Sequence, residues 1–131
     1  MKKSVEAWSP FFLSLLRIIA AFLFLEHGTQ KVFNIPPQPM PHALELFTLA
    51  GLAAVLELVG GVLLFLGLFT RFTAFILSGE MAVAYFMVHA PHGFFPLANK
   101  GELAVLYCFV FLFLAAAGGG PVSIDRLRGK N

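Results

Sequence analysis

The sequence predicts an all-α integral membrane protein, a bundle of four transmembrane helices, on three observations. The chain of 131 residues is 59% hydrophobic and only 12% charged, with a mean hydropathy of +0.85. Its apolar residues fall in four long runs, and its basic residues gather at the chain ends and in the turns between runs. A soluble domain carries about a quarter of its residues charged. Half that density leaves too little polar surface to cover a globule, so lipid must take the place of water. By length the chain is a single domain, 1–131.

The first run, about 10–26, follows Lys2 and Lys3 and superficially resembles a secretory leader. Arg17 interrupts it, and Glu26 and His27 stand where small cleavage-site residues belong, so it reads as a retained first span. Residues 35–41 hold Pro36, Pro37, Pro39 and Pro41, which lack the amide donor and block a helix. The second span is placed at about 44–69, long enough to tilt across a core that needs about 20 residues. A tight link at 67–71 leads to a third span at about 72–89. Ala90, Pro91, His92 and Gly93 open the link to the fourth, about 102–117, which Gly118, Gly119, Gly120 and Pro121 terminate.

Four spans put both ends on one side. Lys2, Lys3, Arg71, Arg126, Arg128 and Lys130 then share a face, against Lys31 and Lys100 on the other. The positive-inside rule assigns the richer face to the cytoplasm. The expectation is a multi-pass protein of the bacterial inner membrane with cytoplasmic N- and C-termini, and Trp8 as an interfacial anchor.

Several classes of function drop out. A net charge of +2 without a basic face leaves nothing for nucleic acid to bind. The single cysteine, Cys108, rules out an internal disulfide and C-x-x-C chemistry, and it reads as a small core thiol. No nucleophile–base pair, glycine-rich phosphate loop or haem motif is present, so no catalytic residue is assigned. His89 and His92 straddle Pro91 and cannot share a helical face, so no metal site is assigned. The two halves carry no matching motifs, which argues against an inverted-repeat transporter.

Arg17, Glu57 and Glu80 fall inside their spans, where each costs roughly 2.5 to 3.5 kcal/mol if it faces lipid. They must point inward as a buried polar core. Counting about 1.5 Å per residue from the cytoplasmic ends places all three at depths of about 10 to 16 Å. The sequence therefore predicts that Arg17 pairs with Glu57, Glu80 or both. If both carboxylates met one arginine, one of them would retain a proton. The Glu57 face also carries Ala50, Ala53, Ala54, Gly60 and Gly61, and the Arg17 stripe carries Ala20, Ala21, Phe24 and Gly28. Small residues let helices approach closely in lipid, so these two faces are expected to pack together. The trio serves either as a clamp fixing helix register or as a proton or ligand site.

A second polar group gathers at the outer ends: His27, Gln30 and Lys31 close the first span, and Asn99 and Glu102 open the fourth. These five are the candidate binding residues. Glu102 also lies in the first turn of its helix, where the macrodipole favours a carboxylate. Lys31 also has the ordinary option of reaching for headgroups.

These residues resemble the DoxX family of small bacterial membrane proteins, over about Leu13 to Asp125. The motifs are His27-Gly28-x-Gln30-Lys31-x-Phe33, then Glu57-x-x-Gly60-Gly61 with Gly67-x-x-Thr70-Arg71, then Asn99-x-Gly101-Glu102-Leu103 with Tyr107, and lastly Gly120-Pro121-x-Ser123-x-Asp125. Four motifs in order are specific where single ones are weak. Lys100 stands where the family commonly has glycine, and the glycine-rich ending also departs from its pattern.

The resemblance implies a four-helix membrane bundle. Some relatives are membrane subunits of a thiosulfate–quinone oxidoreductase and others are linked to redox homeostasis. The first expectation is therefore an accessory subunit that works with a membrane or membrane-associated redox protein. The second is a component of an oxidoreductase that binds quinone or a similar lipid, with His27, Lys31 and Glu102 on the polar head. A small permease or proton pathway ranks last, because apolar residues such as Phe24 separate the inner and outer polar groups. Beside the lipid bilayer itself, the apolar faces would admit a homodimer.

Overall fold

The computed structural model describes residues 1–40 and 43–130, so Pro41 of the proline-rich link lies outside the described residues. The described chain is helical, with elements α1 (Lys2–Phe33), α2 (Leu49–Leu66), α3 (Thr70–Ala84), α4 (Pro96–Asn99), α5 (Glu102–Ala117) and α6 (Ile124–Leu127). α3 continues through a wide turn at Tyr85–His89 and a tight turn at Ala90–His92. α1 packs mainly on α2, and α3 on α5.

Lys2–Phe33, Leu49–Leu66 and Thr70–His92 are long and apolar enough to cross a membrane, and Glu102–Ala117 is a shorter apolar helix. Residues that would be interior in a soluble bundle are outside here. Phe72, Phe75, Phe86, Phe109 and Leu106 are exposed, while the interior holds Ala21, Ala54, Ala74, Ser14, Arg17 and Glu57. This is a helical membrane bundle: large apolar side chains meet lipid, and small or polar ones let the helices close on each other.

Element boundaries follow local chemistry. α1 begins at Lys2, well before its apolar run, and passes through Pro10. Its first turns stand clear of the bundle and are exposed. At its other end Asn34 takes the left-handed conformation with φ 54° and its amide donates to Gln30 and Thr29 carbonyls. α2 starts at Leu49 because Thr48 caps it, its hydroxyl accepting from the Gly51 amide at 3.1 Å. Leu44, Leu46 and Phe47 therefore lie outside the helix although they are apolar. Gly67, with φ 69°, ends α2.

The α1–α2 contact shows why Gly28 is glycine. A Cβ there would come within 2.7 Å of the Leu58 amide nitrogen and 3.0 Å of the Glu57 carbonyl carbon, both backbone atoms. At Gly61 it would meet Leu25 at 3.0 Å. The small-residue faces meet as the sequence predicts. Above them, Phe24, Tyr107 and Phe111 form an aromatic layer. The Phe24 ring stands edge-on to Phe111 at 4.9 Å and to Tyr107 at 5.3 Å, and Tyr107 stacks on Phe111 at 5.4 Å.

Candidate functional site

The expected meeting of Arg17 with Glu57 and Glu80 does not occur. Arg17 is 1% exposed, but its guanidinium serves the far end of the bundle. Nη1 donates to the Gly119 carbonyl, and Nη2 donates to the Val122 carbonyl at 2.7 Å and the Phe65 carbonyl at 3.5 Å. The reason is geometric. α1 extends past Pro10, so Arg17 lies level with the end of α2 instead of a third of the way across. Eight residues separate Phe65 from Glu57, roughly 12 Å along α2. The aromatic layer lies between.

The C-terminal segment supplies the partners that the carboxylates were expected to provide. Folding under the bundle after α5, it presents Gly119 and Val122 carbonyls to Arg17, and Ser14 donates to Gly119 and accepts from the Val122 amide. Asp125 then caps α3. Its two carboxylate oxygens accept from the Phe69 and Thr70 amides, each at 2.9 Å. Burial pushes the Asp125 carboxyl up, but hydrogen bonding from Thr70 and Phe69 and the Arg128 charge outweigh it. The net result holds the group below the usual carboxylate range. This end is built for structure.

Glu57 finds its cation at the other end. Lys31, 41% exposed at its side chain, folds back from the last turn of α1 and donates to Glu57 Oε1 at 2.8 Å. Gly28 makes this reach short, because it holds α1 against α2 at the level of Glu57. The pair borders a cavity of about 310 Å³ whose walls come from α1, α2, α3 and α5. Phe24 and Tyr107 form its aromatic side, Met81 and Ala84 its apolar side, and His27, His89 and Lys100 stand around it. Glu57 is 4% exposed, and its Oε2 has no hydrogen-bond partner among the described residues. Glu80, one position before Met81, is an electrostatic neighbour of both Glu57 and Lys31. Both of its oxygens are buried and likewise without a partner. Arg17 Nε and Thr70 Oγ1 at the other end are also without a partner among the described residues. The carboxylate oxygens, however, are the ones beside a cavity, and a buried polar atom without a partner is costly.

The other residues predicted to bind are dispersed. His27 joins Lys31 at the cavity, its ring edge-on to Tyr107 at 6.1 Å. Gln30 instead holds the following loop, donating from its amide to the Pro36 carbonyl at 3.1 Å. Asn99 is buried and organises the turn before α5. It donates to Tyr85 Oη at 3.1 Å and to the Gly93 carbonyl at 2.9 Å, and accepts from the Gly101 amide at 2.9 Å. Glu102 is exposed in the first turn of α5 and does not border this cavity.

Sequence reasoning assigned Glu57 and Glu80 to the inner polar group and gave Met81 and His89 no binding role; Tyr107 was visible only as part of a motif. The available signal was Gly28. A glycine one turn before a lysine, opposite a helix with Gly60 and Gly61, sets α1 close enough for Lys31 to reach Glu57.

The DoxX family model matches residues 12–90, which carry the first three helices and the Lys31, Glu57 and Glu80 positions. The chain belongs to the DoxX family. This DoxX protein is 45% identical to an uncharacterized protein of Haemophilus influenzae over 94% of this chain and 95% of that one. A second uncharacterized protein of Haemophilus influenzae is 29% identical over 88% and 82% of the two chains. A Bacillus subtilis protein named "Putative oxidoreductase CatD" is 29% identical over 85% and 82%. No solved structure matches the DoxX chain.

Proposed function

We propose that this DoxX protein binds the polar ring of a lipid-soluble, quinone-class molecule in the cavity beside Lys31 and Glu57, as the membrane component of a redox assembly. One observation carries the reading: an ion pair whose carboxylate is buried and incompletely satisfied among the described residues faces an aromatic and apolar cavity inside a membrane bundle. Ligand sites have this character, largely apolar with a few placed polar groups. An aromatic ring fits against Phe24 and Tyr107, and a ring oxygen accepts from the Lys31 ammonium. An isoprenoid tail leaves along Met81, Val88 and Leu103 toward lipid. The oxidoreductase name of the Bacillus subtilis relative supports a redox setting.

In this reading the redox partner is a separate membrane or membrane-associated protein. Charge asymmetry supports an inner-membrane orientation with cytoplasmic termini, so that the cavity lies toward the outer leaflet. A transmembrane proton path has less support, since the aromatic layer of Phe24, Tyr107 and Phe111 stands between the two polar ends.

The test is extraction. Full-length protein purified from membranes in mild detergent should release about one quinone per chain into organic solvent, and Lys31→Ala should release far less. A preparation holding a stable protein partner but no quinone would replace this reading with that of a scaffold subunit.

A further inference from the structure

We infer that the cavity selects the reduced, hydroxyl-bearing form of its ligand, a quinol, over the quinone. This rests on the proposed quinone-class ligand and concerns only its redox state. Donors and acceptors around the cavity differ in depth. The groups around the cavity that can only donate, Lys31 and Lys100, are exposed, so water satisfies them whichever form is bound. The buried atoms that can only accept are carboxylate oxygens: Glu57 Oε2 in the cavity wall and, behind it, Oε1 and Oε2 of the neighbouring Glu80.

A quinone brings only carbonyl oxygens. It accepts from Lys31, but toward Glu57 Oε2 it sets lone pair against lone pair. A quinol hydroxyl does both tasks, accepting from the Lys31 ammonium and donating to a carboxylate oxygen. One proton shared between Glu57 and Glu80 does not reverse the count, because two acceptors still face one donor. Leaving a buried carboxylate unmet is the expensive case, and a hydrogen bond to a charged group is among the stronger ones. The other titratable groups around the carboxylates, His27 from α1, His89 after α3 and Tyr107 from α5, border the same cavity and complete the set facing it. The Tyr107 hydroxyl and the neutral histidine rings can each donate and accept, so they meet either form and leave the choice to the carboxylate oxygens.

The experiment is anaerobic equilibrium binding of a short-chain benzoquinol and the matching benzoquinone to full-length protein in nanodiscs, corrected for partition into protein-free discs. The quinol should bind at least about tenfold tighter, equivalent to raising the potential of the bound two-electron couple by about 30 mV. Glu80→Gln leaves the Lys31–Glu57 pair intact but replaces acceptors with an amide that also donates, and should cut the preference to about threefold or less. Glu57→Gln should cut it further. Equal affinities in the wild type, or a tighter quinone, would overturn the redox selectivity while leaving the ligand class standing. Binding of neither form would overturn the ligand class, and this inference with it. A full preference retained in both variants would place the selectivity elsewhere and remove the carboxylates from it.

Discussion

The two polar ends of the bundle use buried charge in opposite ways. At the Arg17 end, the inner one in the proposed orientation, Arg17 meets three backbone carbonyls from two segments, and Asp125 meets backbone amides, so each charge binds the chain to itself. At the opposite end, the outer one in the proposed orientation, Lys31 and Glu57 meet each other, and three carboxylate oxygens of Glu57 and Glu80 have no partner among the described residues. Charges spent on backbone groups fix a fold, because those groups have no alternative partner in lipid. Charges left partly unmet cost stability and keep a site open to a ligand. The comparison therefore predicts that inner substitutions act on folding and outer ones on binding.

The largest effect should come from Arg17→Met, which keeps an apolar stem but strands the Val122 and Phe65 carbonyls and leaves Gly119 to Ser14. Hydrogen bonds to a charged group are worth about 1.5 to 3 kcal/mol each, so the loss should exceed about 3 kcal/mol in reversible unfolding from mixed micelles. An unchanged unfolding midpoint would erase the distinction between the two ends.

Gly28→Ala comes next. Its added methyl meets backbone on α2, which cannot rotate away as a side chain can, and should cost about 1 to 3 kcal/mol. Because it also separates Lys31 from Glu57, it should weaken ligand binding. It is the one substitution expected to damage both ends, and binding that survived a measured loss of stability would break that link.

Asp125→Asn should cost about 1 to 2 kcal/mol by weakening the cap on α3. The sign with pH follows from a carboxyl held below its ordinary range. The charged cap contributes fully above the unfolded value, and its contribution is lost as pH falls through the lowered folded value. Wild-type stability should therefore decline on acidification from about pH 5 downward, and Asp125→Asn should show a shallower decline. Identical slopes would mean that the cap is indifferent to charge.

The smallest effect on stability belongs to Glu80→Gln, within about 1 kcal/mol of wild type and on the stabilising side if anything, since it relieves an unpartnered buried carboxyl. A large destabilisation, measured alongside unaltered ligand preference, would make the outer end structural after all.

The sequence by itself determined the solvent and the helices. A charged fraction of 12% and four apolar runs admit no other home than lipid, and Gly28, Gly60 and Gly61 announced which faces of α1 and α2 would meet. These properties are local or compositional, and each can be summed along the chain. Which charge meets which was decided only by the tertiary structure. Counting residues from assumed span ends put Arg17 level with Glu57, but α1 runs from Lys2 through Pro10, so the two differ in height. The residues after α5 read merely as a helix ending, yet their carbonyls take the arginine and leave Glu57 to Lys31. Pairing depends on the relative depth of helices and on where a terminal segment folds back, and neither quantity is carried by spacing within a single helix.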